Sequence, residues 1–409
     1  MTKVVVVGSG GREHALADVL GRTASEVIVT PGNPGIPGSV STPATELDAD
    51  LFVIGPEVPL VDGLADELRA QGKLVFGPGA DGAQLEGSKA YMKELLVAAG
   101  VPTAAHGSFT EVAPALEFLA TMVAPFVIKT DGLAAGKGVL VTDDRAEAEA
   151  AVAEYLSGNA FGDAGSTVVI EEGLTGPEVS LFAICDGAKA VALAPAQDHK
   201  RIFDGDEGPN TGGMGAYTPL TWADPGLAEL VMSDFIAPTM AELQRRGIDY
   251  RGVLFAGLML TPSGPKMLEY NVRFGDPETQ VVLPRIDSDL VELLSQAAAG
   301  NIEHEPEFSD DALVTVVCAS EGYPASARTG DVIVGIDDAR AIDGVSVYAA
   351  GVKTNDAGEL ITGGGRVLNV IGRGVTMNEA IDRAYAGVDK IEWPGMQYRT
   401  DIAHQAQES

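Results

Sequence analysis

The densest chemistry in the chain lies in LEYNVRFGDPETQ, residues 268–280. Glu269 and Asn271 alternate along an apolar strand, so both side chains leave the same face. A carboxylate and an amide oxygen placed together are hard ligands suited to magnesium. Arg273 continues that face and could stabilise charge on a phosphoryl group in transfer. A solvated polar strand face is the plainer explanation. Asp276 and Glu278 follow, however, and a set so flanked by apolar residues and a Gly-Asp-Pro turn is an odd solvent face.

Glycine-rich segments supply the complementary groups. GSGGREHAL follows the run Val4–Val7 and sets Gly8, Gly10 and Gly11 at a strand-to-helix turn, where backbone N–H groups can meet an anion. A dinucleotide site also needs an acidic residue ending the second strand, which here reads VIVTPGNPG. A small phosphorylated ligand fits better, and a purely structural turn stays open. Asp131–Gly138, DGLAAGKG, is not a P-loop: only three residues lie between Gly132 and Gly136 where a P-loop has four, and Gly138 stands where the magnesium-binding hydroxyl belongs. It reads as a glycine hairpin carrying Lys137 over phosphates. Lys129 ends the apolar strand PFVIK, where an anion gives it a purpose and a snorkelling edge lysine is the alternative. In Gln197–Tyr217, Asp198, His199, Lys200 and Arg201 precede an aperiodic stretch with five glycines, and such long loops are usually functional. His199, beside two cations, reads as part of an anion site. The chain offers cations, glycine loops and metal ligands but no nucleophile–base arrangement.

The elements that must hold these groups read as α/β and α+β. Val4–Val7, Val27–Thr30, Leu51–Gly55 and Leu74–Phe76 are short buried strands, alternating with helical pattern such as Glu13–Leu20, which predicts a mostly parallel sheet. Beyond Val101 the pattern turns β-rich, with strands at Phe126–Lys129, Gly138–Thr142 and Thr167–Glu171 and helices at Ala115–Ala120 and Ala146–Leu156. Val179–Cys185, Ala190–Leu193, Phe255–Leu260 and Lys266–Tyr270 continue as strands. After the acidic stretch Glu303–Asp311, the segments Leu313–Ala319, Val332–Gly335, Ser346–Val352 and Arg366–Ile371 predict an antiparallel set with a helix at Met377–Val388.

At 409 residues the chain is long enough for two to four domains. Its 59 acidic against 27 basic side chains give a net charge of −32, which repels nucleic acid and anionic membrane. Cys185 and Cys318 sit in apolar runs and read as buried strand thiols with no metal spacing. No apolar run approaches a membrane span or a signal segment, so a cytoplasmic location is expected.

Motifs along the whole chain resemble the glycinamide ribonucleotide synthetase (phosphoribosylamine–glycine ligase) family of the ATP-grasp superfamily. They are GGREHAL (10–16), GPEVPLVDG (55–63), GAQLEGSKAYMK (82–93), IKTDGLAAGKGV (128–139), GNAFGDAG (158–165), VIEEGLTGPEVS (169–180), QDHKR (197–201), GPNTGGMGAY (208–217), NVRFGDPETQ (271–280), SDLVEL (288–293), GYP (322–324) and TGD (329–331). The resemblance implies a Rossmann-like N-terminal domain (1–101), an ATP-grasp domain (102–305) with a mobile small lobe at about 123–190, and a β-rich C-terminal domain (309–409). It implies ligation of glycine to 5-phosphoribosylamine with ATP and Mg2+ or Mn2+, through glycyl phosphate, in a monomer or weak oligomer. By the same resemblance Lys89 and Lys129 bind ATP phosphates, with Lys137 on the covering loop. Glu171, Glu172, Gly173 and Leu174 border the adenine, Glu178 holds the ribose, and Arg201 and Asn210 touch nucleotide phosphate or metal. Glu269 and Asn271 bind the metal, and Arg273 the transferring phosphoryl. Gly10, Gly11, Arg12 and Glu13 take phosphoribosylamine, and glycine lies near Asp198, Asp276 and the GPNTGGMGAY loop.

The chain departs from the family pattern in places. Gly173 stands where the hinge usually has a bulky residue, Pro177 where a glutamate precedes Glu178, and Gly257 where many ATP-grasp enzymes have a second metal carboxylate. Only Ser41–Asp50 stands where an extra strand and helix are usual before GPE. Another ATP-grasp carboxylate–amine ligase and a catalytically silent nucleotide-binding module are the alternative readings. The second predicts losses at Lys129, Glu269, Asn271 or Arg273, and all four stand.

Overall fold

A computed structural model of the chain describes residues 2–132, 138–157 and 166–406. Its first sheet has four parallel strands, Lys3–Gly8, Glu26–Pro31, Leu51–Ile54 and Val75–Phe76, with the first strand between the second and third. Val4, Val5 and Val6 are all fully buried, so both sheet faces are covered, which is why these strands read as continuous apolar runs. Between the second and third strands stands only the short turn Ala44–Glu46, in keeping with the missing crossover.

The small lobe is an antiparallel sheet in the order His106–Phe109, Val168–Glu172, Phe126–Thr130, Val139–Thr142, backed by helices Val112–Leu119 and Arg145–Tyr155. Phe126, Ile128, Val152 and Ile170 give it a hydrophobic core separate from the main one. Gly173 leaves this sheet where a Cβ would lie 2.4 Å from Pro125 Cγ and 2.5 Å from its carbonyl oxygen. The bulky residue usual there has no room against Pro125. A second antiparallel sheet, Ala190–Ala192, Glu178–Asp186, Arg251–Thr261, Gly264–Asn271, carries the metal-ligand candidates on its last strand.

The C-terminal sheet has five antiparallel strands, and two of them, Gln197–Asp198 and Gly215–Thr218, come from the segment expected to be structureless. Between them, Arg201–Phe203 and Glu207–Asn210 form a ribbon. These strands are too short and glycine-rich to show any period; Gly215–Thr218 is ordered by pairing with Ala312–Ala319, and Gln197–Asp198 by pairing with Gly215–Thr218 in turn. The expected strand Val332–Gly335 is instead two isolated bridges leading into the helix Ile336–Arg340. Gly335, at φ +85° with Lys390 O where its Cβ would stand, turns the chain away before a ladder can form. Cys185 and Cys318 are free, fully buried strand thiols. Among the described residues no helix is long and apolar enough to cross a membrane.

All three parts meet at the start of the helix Gly11–Leu20. A Cβ on Gly11 would stand 2.3 Å from Asn369 Nδ2 of the C-terminal sheet and 2.9 Å from Gln280 Nε2 of the central part. Both amides are buried. Gly11→Ala should therefore cost about 1–3 kcal/mol through overpacking, read as a lowered Tm. An unchanged Tm would show that this junction is loose.

Candidate active site

The site is built from charges that had to be buried in pairs. Helix Lys89–Ala99 starts at Ser88, whose hydroxyl caps it and also donates to Asp131 at 3.0 Å. The same cap sets Lys89, whose ammonium donates to Gly132 O at 2.9 Å at the mouth of the glycine hairpin. Lys137 lies outside the described residues. Burial lowers Lys89, against the pull of Glu269. One turn on, Lys93 is fully buried and meets Glu171 Oε2 at 2.9 Å, while Lys129 meets Glu171 Oε1 at 2.9 Å. Burial favours the neutral acid, but the two lysines outweigh it and hold Glu171 below the usual carboxylate range. Burial would likewise lower Lys129, yet Glu171 and Glu269 raise it.

Glu269 and Asn271 do share one face, across the ladder from Gly257 and Phe255 respectively. A register shift at Gly257/Leu258 lies beside Glu269, a place where bulges commonly re-aim a side chain. Gly257 is directly opposite Glu269, so a carboxylate there would have stood against it. Arg273 binds Asn271 Oδ1 at 3.1 Å, Glu86 Oε1 at 2.8 Å and Glu57 at 3.4 Å. Glu86 also accepts the Val272 amide at 2.8 Å, so one buried carboxylate fixes the strand end.

The GGREHAL turn arrives from the other side. Glu13 accepts the Gly10 amide and Arg12 Nε, each at 2.6 Å, so both of its oxygens are engaged within its own helix start. Gly8 and Gly55 leave room for that carboxylate; a Cβ on Gly55 would lie 2.1 Å from it. Arg12 then donates to Phe274 O at 3.1 Å, and Arg273 donates to the same carbonyl at 3.3 Å. Asp276 pairs with Arg366 of the C-terminal part at 3.3 Å and accepts from Gln280 at 2.8 Å. Arg366 also donates to Gly212 O at 2.7 Å, and Gly213, at φ +109°, packs on Pro277. Asp276 and the GPNTGGMGAY loop are thus brought together.

Asp198 and Glu178 both hold Lys200, at 2.6 and 3.0 Å. Behind them Glu278 is buried and accepts from Ser180 at 3.2 Å. Arg201 and Asn210 face each other across the ribbon; the Arg201 side chain donates to Gly208 O within it, and the Arg201 carbonyl accepts from Arg399 of the C-terminal segment at 3.2 Å. Glu172 receives the Ala105 amide at 3.1 Å and Lys266 at 3.4 Å, and Leu174 is half-buried. His199 is not part of an anion site. Buried, it accepts the Ala403 amide at 3.2 Å and packs near Tyr217, docking the C-terminal segment.

Sequence reading missed Lys93, Glu57, Glu86 and Arg366. The first three lie within the quoted motifs, where a helical i,i+4 lysine pair and lone acids gave a faint signal; Arg366 had none. The metal candidates fit a magnesium ion that takes few protein oxygens and completes its shell with phosphate and water. Glu269 is half-buried, has no ion pair among the described residues, and no group of three or more His, Cys, Asp or Glu side chains forms a cage there.

Burial, then repulsion from Asp198, lifts Glu278 to about 7 against the pull of Lys200. Its folded value lies above the ordinary 4.5, so its favourable contribution is full below that value and is lost as pH rises through 7. Glu278→Gln should therefore gain stability over the parent between pH 5 and pH 8, on the order of 2–3 kcal/mol. Thermal unfolding across that range checks it, and a constant difference would refute the shift.

Family models match nearly the whole chain: the phosphoribosylglycinamide synthetase N domain over residues 2–86, its ATP-grasp (A) domain over 87–279 and its C domain over 313–405. The chain is 48% identical to a phosphoribosylamine–glycine ligase of Caulobacter vibrioides, covering 98% of each, and 48% identical to one of Streptomyces coelicolor, covering 99% of each. The crystal structure of the Thermotoga maritima phosphoribosylamine–glycine ligase superposes with a TM-score of 0.85 at 34% identity, over 98% of this chain and 99% of that one. A biotin carboxylase domain from Hydrogenobacter thermophilus, 18% identical with a TM-score of 0.73 over 97% of this chain and 92% of that one, shares the fold. With its paired charges, its three-part architecture and these full-length matches, the chain belongs to the phosphoribosylglycinamide synthetase family.

Proposed function

We propose that the protein ligates glycine to 5-phosphoribosylamine with ATP, giving glycinamide ribonucleotide, ADP and phosphate. The observation that carries this reading is the shared Phe274 carbonyl, which sets Arg12 of the glycine turn beside Arg273, two residues past the end of the strand that bears Glu269 and Asn271. A phosphorylated amine held at one and an acyl phosphate formed at the other would lie within reach of each other.

In this reading Lys89 and Lys129 neutralise the triphosphate, and Glu269 and Asn271 would hold Mg2+ or Mn2+. That ion supplies charge neutralisation on the phosphate oxygens. Glycine's carboxylate oxygen attacks the γ-phosphorus and ADP leaves; Arg273 balances the charge on the transferring group. The amine nitrogen of phosphoribosylamine then attacks the glycyl carbonyl carbon, inorganic phosphate departs, and the nitrogen loses a proton. Gly10, Gly11 and Arg12 take the phosphate of the amine, with Glu13 acting through Arg12. Glycine sits by Asp276 and the GPNTGGMGAY turn, with Asp198 near. Glu172, Gly173 and Leu174 border the adenine and Glu178 the ribose, whereas Glu171 acts through its lysines; Arg201 and Asn210 close the phosphate end from the ribbon. Residues 1–101, 102–305 and 309–409 are the three working parts.

The test is ADP release with ATP and magnesium, omitting glycine or phosphoribosylamine in turn, the amine being made from ribose 5-phosphate and ammonia. Dependence on both supports the ligase. ADP formation with neither, or with a different carboxylic acid only, moves the activity elsewhere in the superfamily. Glu269→Ala should lower turnover about 100-fold or more at ordinary magnesium, with cooperative unfolding kept. Near-normal turnover in that variant would remove Glu269 from the metal site.

A further inference from the structure

Lys93 has no part in the reaction as described, yet its side chain is fully buried. An ammonium there is expensive to bury, and a methionine would fill the same helix position without that penalty. The structure satisfies it fully enough to show a purpose. Lys93 donates to Thr103 Oγ1 at 2.8 Å, and Thr103 in turn donates to Met267 O at 2.7 Å, two residues before Glu269 on the same strand. Its other bond is to Glu171, whose remaining oxygen meets Lys129.

The charges decide what this arrangement does. Lys93, Glu171 and Lys129 together sum to one positive charge. Without Lys93, Glu171 and Lys129 sum to zero, and Glu171 becomes a full competitor with phosphate for the Lys129 ammonium. At the low effective dielectric of a buried site such a competitor weighs heavily. We propose that Lys93 is a positioning residue for the nucleotide: by occupying one oxygen of Glu171 it leaves Lys129 with net positive charge for the triphosphate. The inference rests on the reading that ATP phosphates meet Lys129. Burial, against the pull of Glu171, brings Lys93 down to about 8, so it is still charged at neutral pH.

The test is nucleotide affinity by calorimetry with ADP and magnesium, together with KM for ATP and for glycine. The parent must bind ADP; if it does not, the functional reading fails first and is seen to fail by itself. Lys93→Met should weaken ADP and raise KM for ATP by roughly tenfold, the equivalent of 1.4 kcal/mol, with KM for glycine unmoved. The double variant Lys93→Met, Glu171→Gln restores the single positive charge and should return affinity to within about threefold of the parent. A purely structural lysine predicts the opposite order, with the double variant worse than the single one. That order, or parental affinity in Lys93→Met, overturns the inference. Should Lys93→Met not fold, Lys93→Gln, which can still reach Thr103, takes its place with the same expected ranking.

Discussion

The carbonyl oxygen of Phe274 receives two guanidinium groups, and much of the molecule exists to let it do so. Arg12 and Arg273 are both largely removed from water, and two like charges converging on one acceptor are tolerable only if carboxylates surround them. Glu13 and Asp276 attend Arg12, while Glu57 and Glu86 attend Arg273. These acids come from four separate stretches of chain, so the pairing also locks the parallel sheet to the central strand. The two guanidinium groups are thereby held already oriented, which is the form of electrostatic preorganisation that phosphoryl and acyl transfer need.

The C-terminal part is not an appendage to this arrangement. Its sheet incorporates two strands of the central part, and Arg366 reaches from it to the backbone of Gly212 and of Asp276. Asn369 occupies the space that a side chain on Gly11 would need. His14, in the same helix, accepts the Ala349 amide at 2.8 Å and is driven down to about 4 by burial and by Arg340, so it stays neutral as it docks the two parts. The Arg12–Asp276 side of the site is thereby framed by all three parts, whereas the Lys89–Lys129 side is framed by the small lobe and the central sheet.

Two departures from the family pattern have structural meaning. Gly173 is dictated by the close approach of Pro125, so the absence of a bulky side chain reflects how the small lobe joins the next sheet. Gly257, opposite Glu269, leaves one carboxylate on that rung of the ladder, and the acids nearby are engaged with Arg273.

Residue order alone determined the parallel first sheet, the strand that carries Glu269 and Asn271, the glycine turn before the first helix, and the family, whereas Arg273 falls in the bend just past that strand. These are local properties: hydrophobic period, glycine placement and contiguous motifs survive in one dimension. Tertiary structure decided the rest. Lys93 is fully buried because Glu171, far along the chain, turns toward it; His199 docks a terminal segment because Ala403 comes back to it; Val332–Gly335 is not a strand because its two single bridges, to Ile361 and to Glu392, lie on different segments and never join into a ladder. Which charge meets which, and which backbone finds a ladder, depends on contacts between residues distant in sequence, and a pairing energy has no signature until both partners are in place.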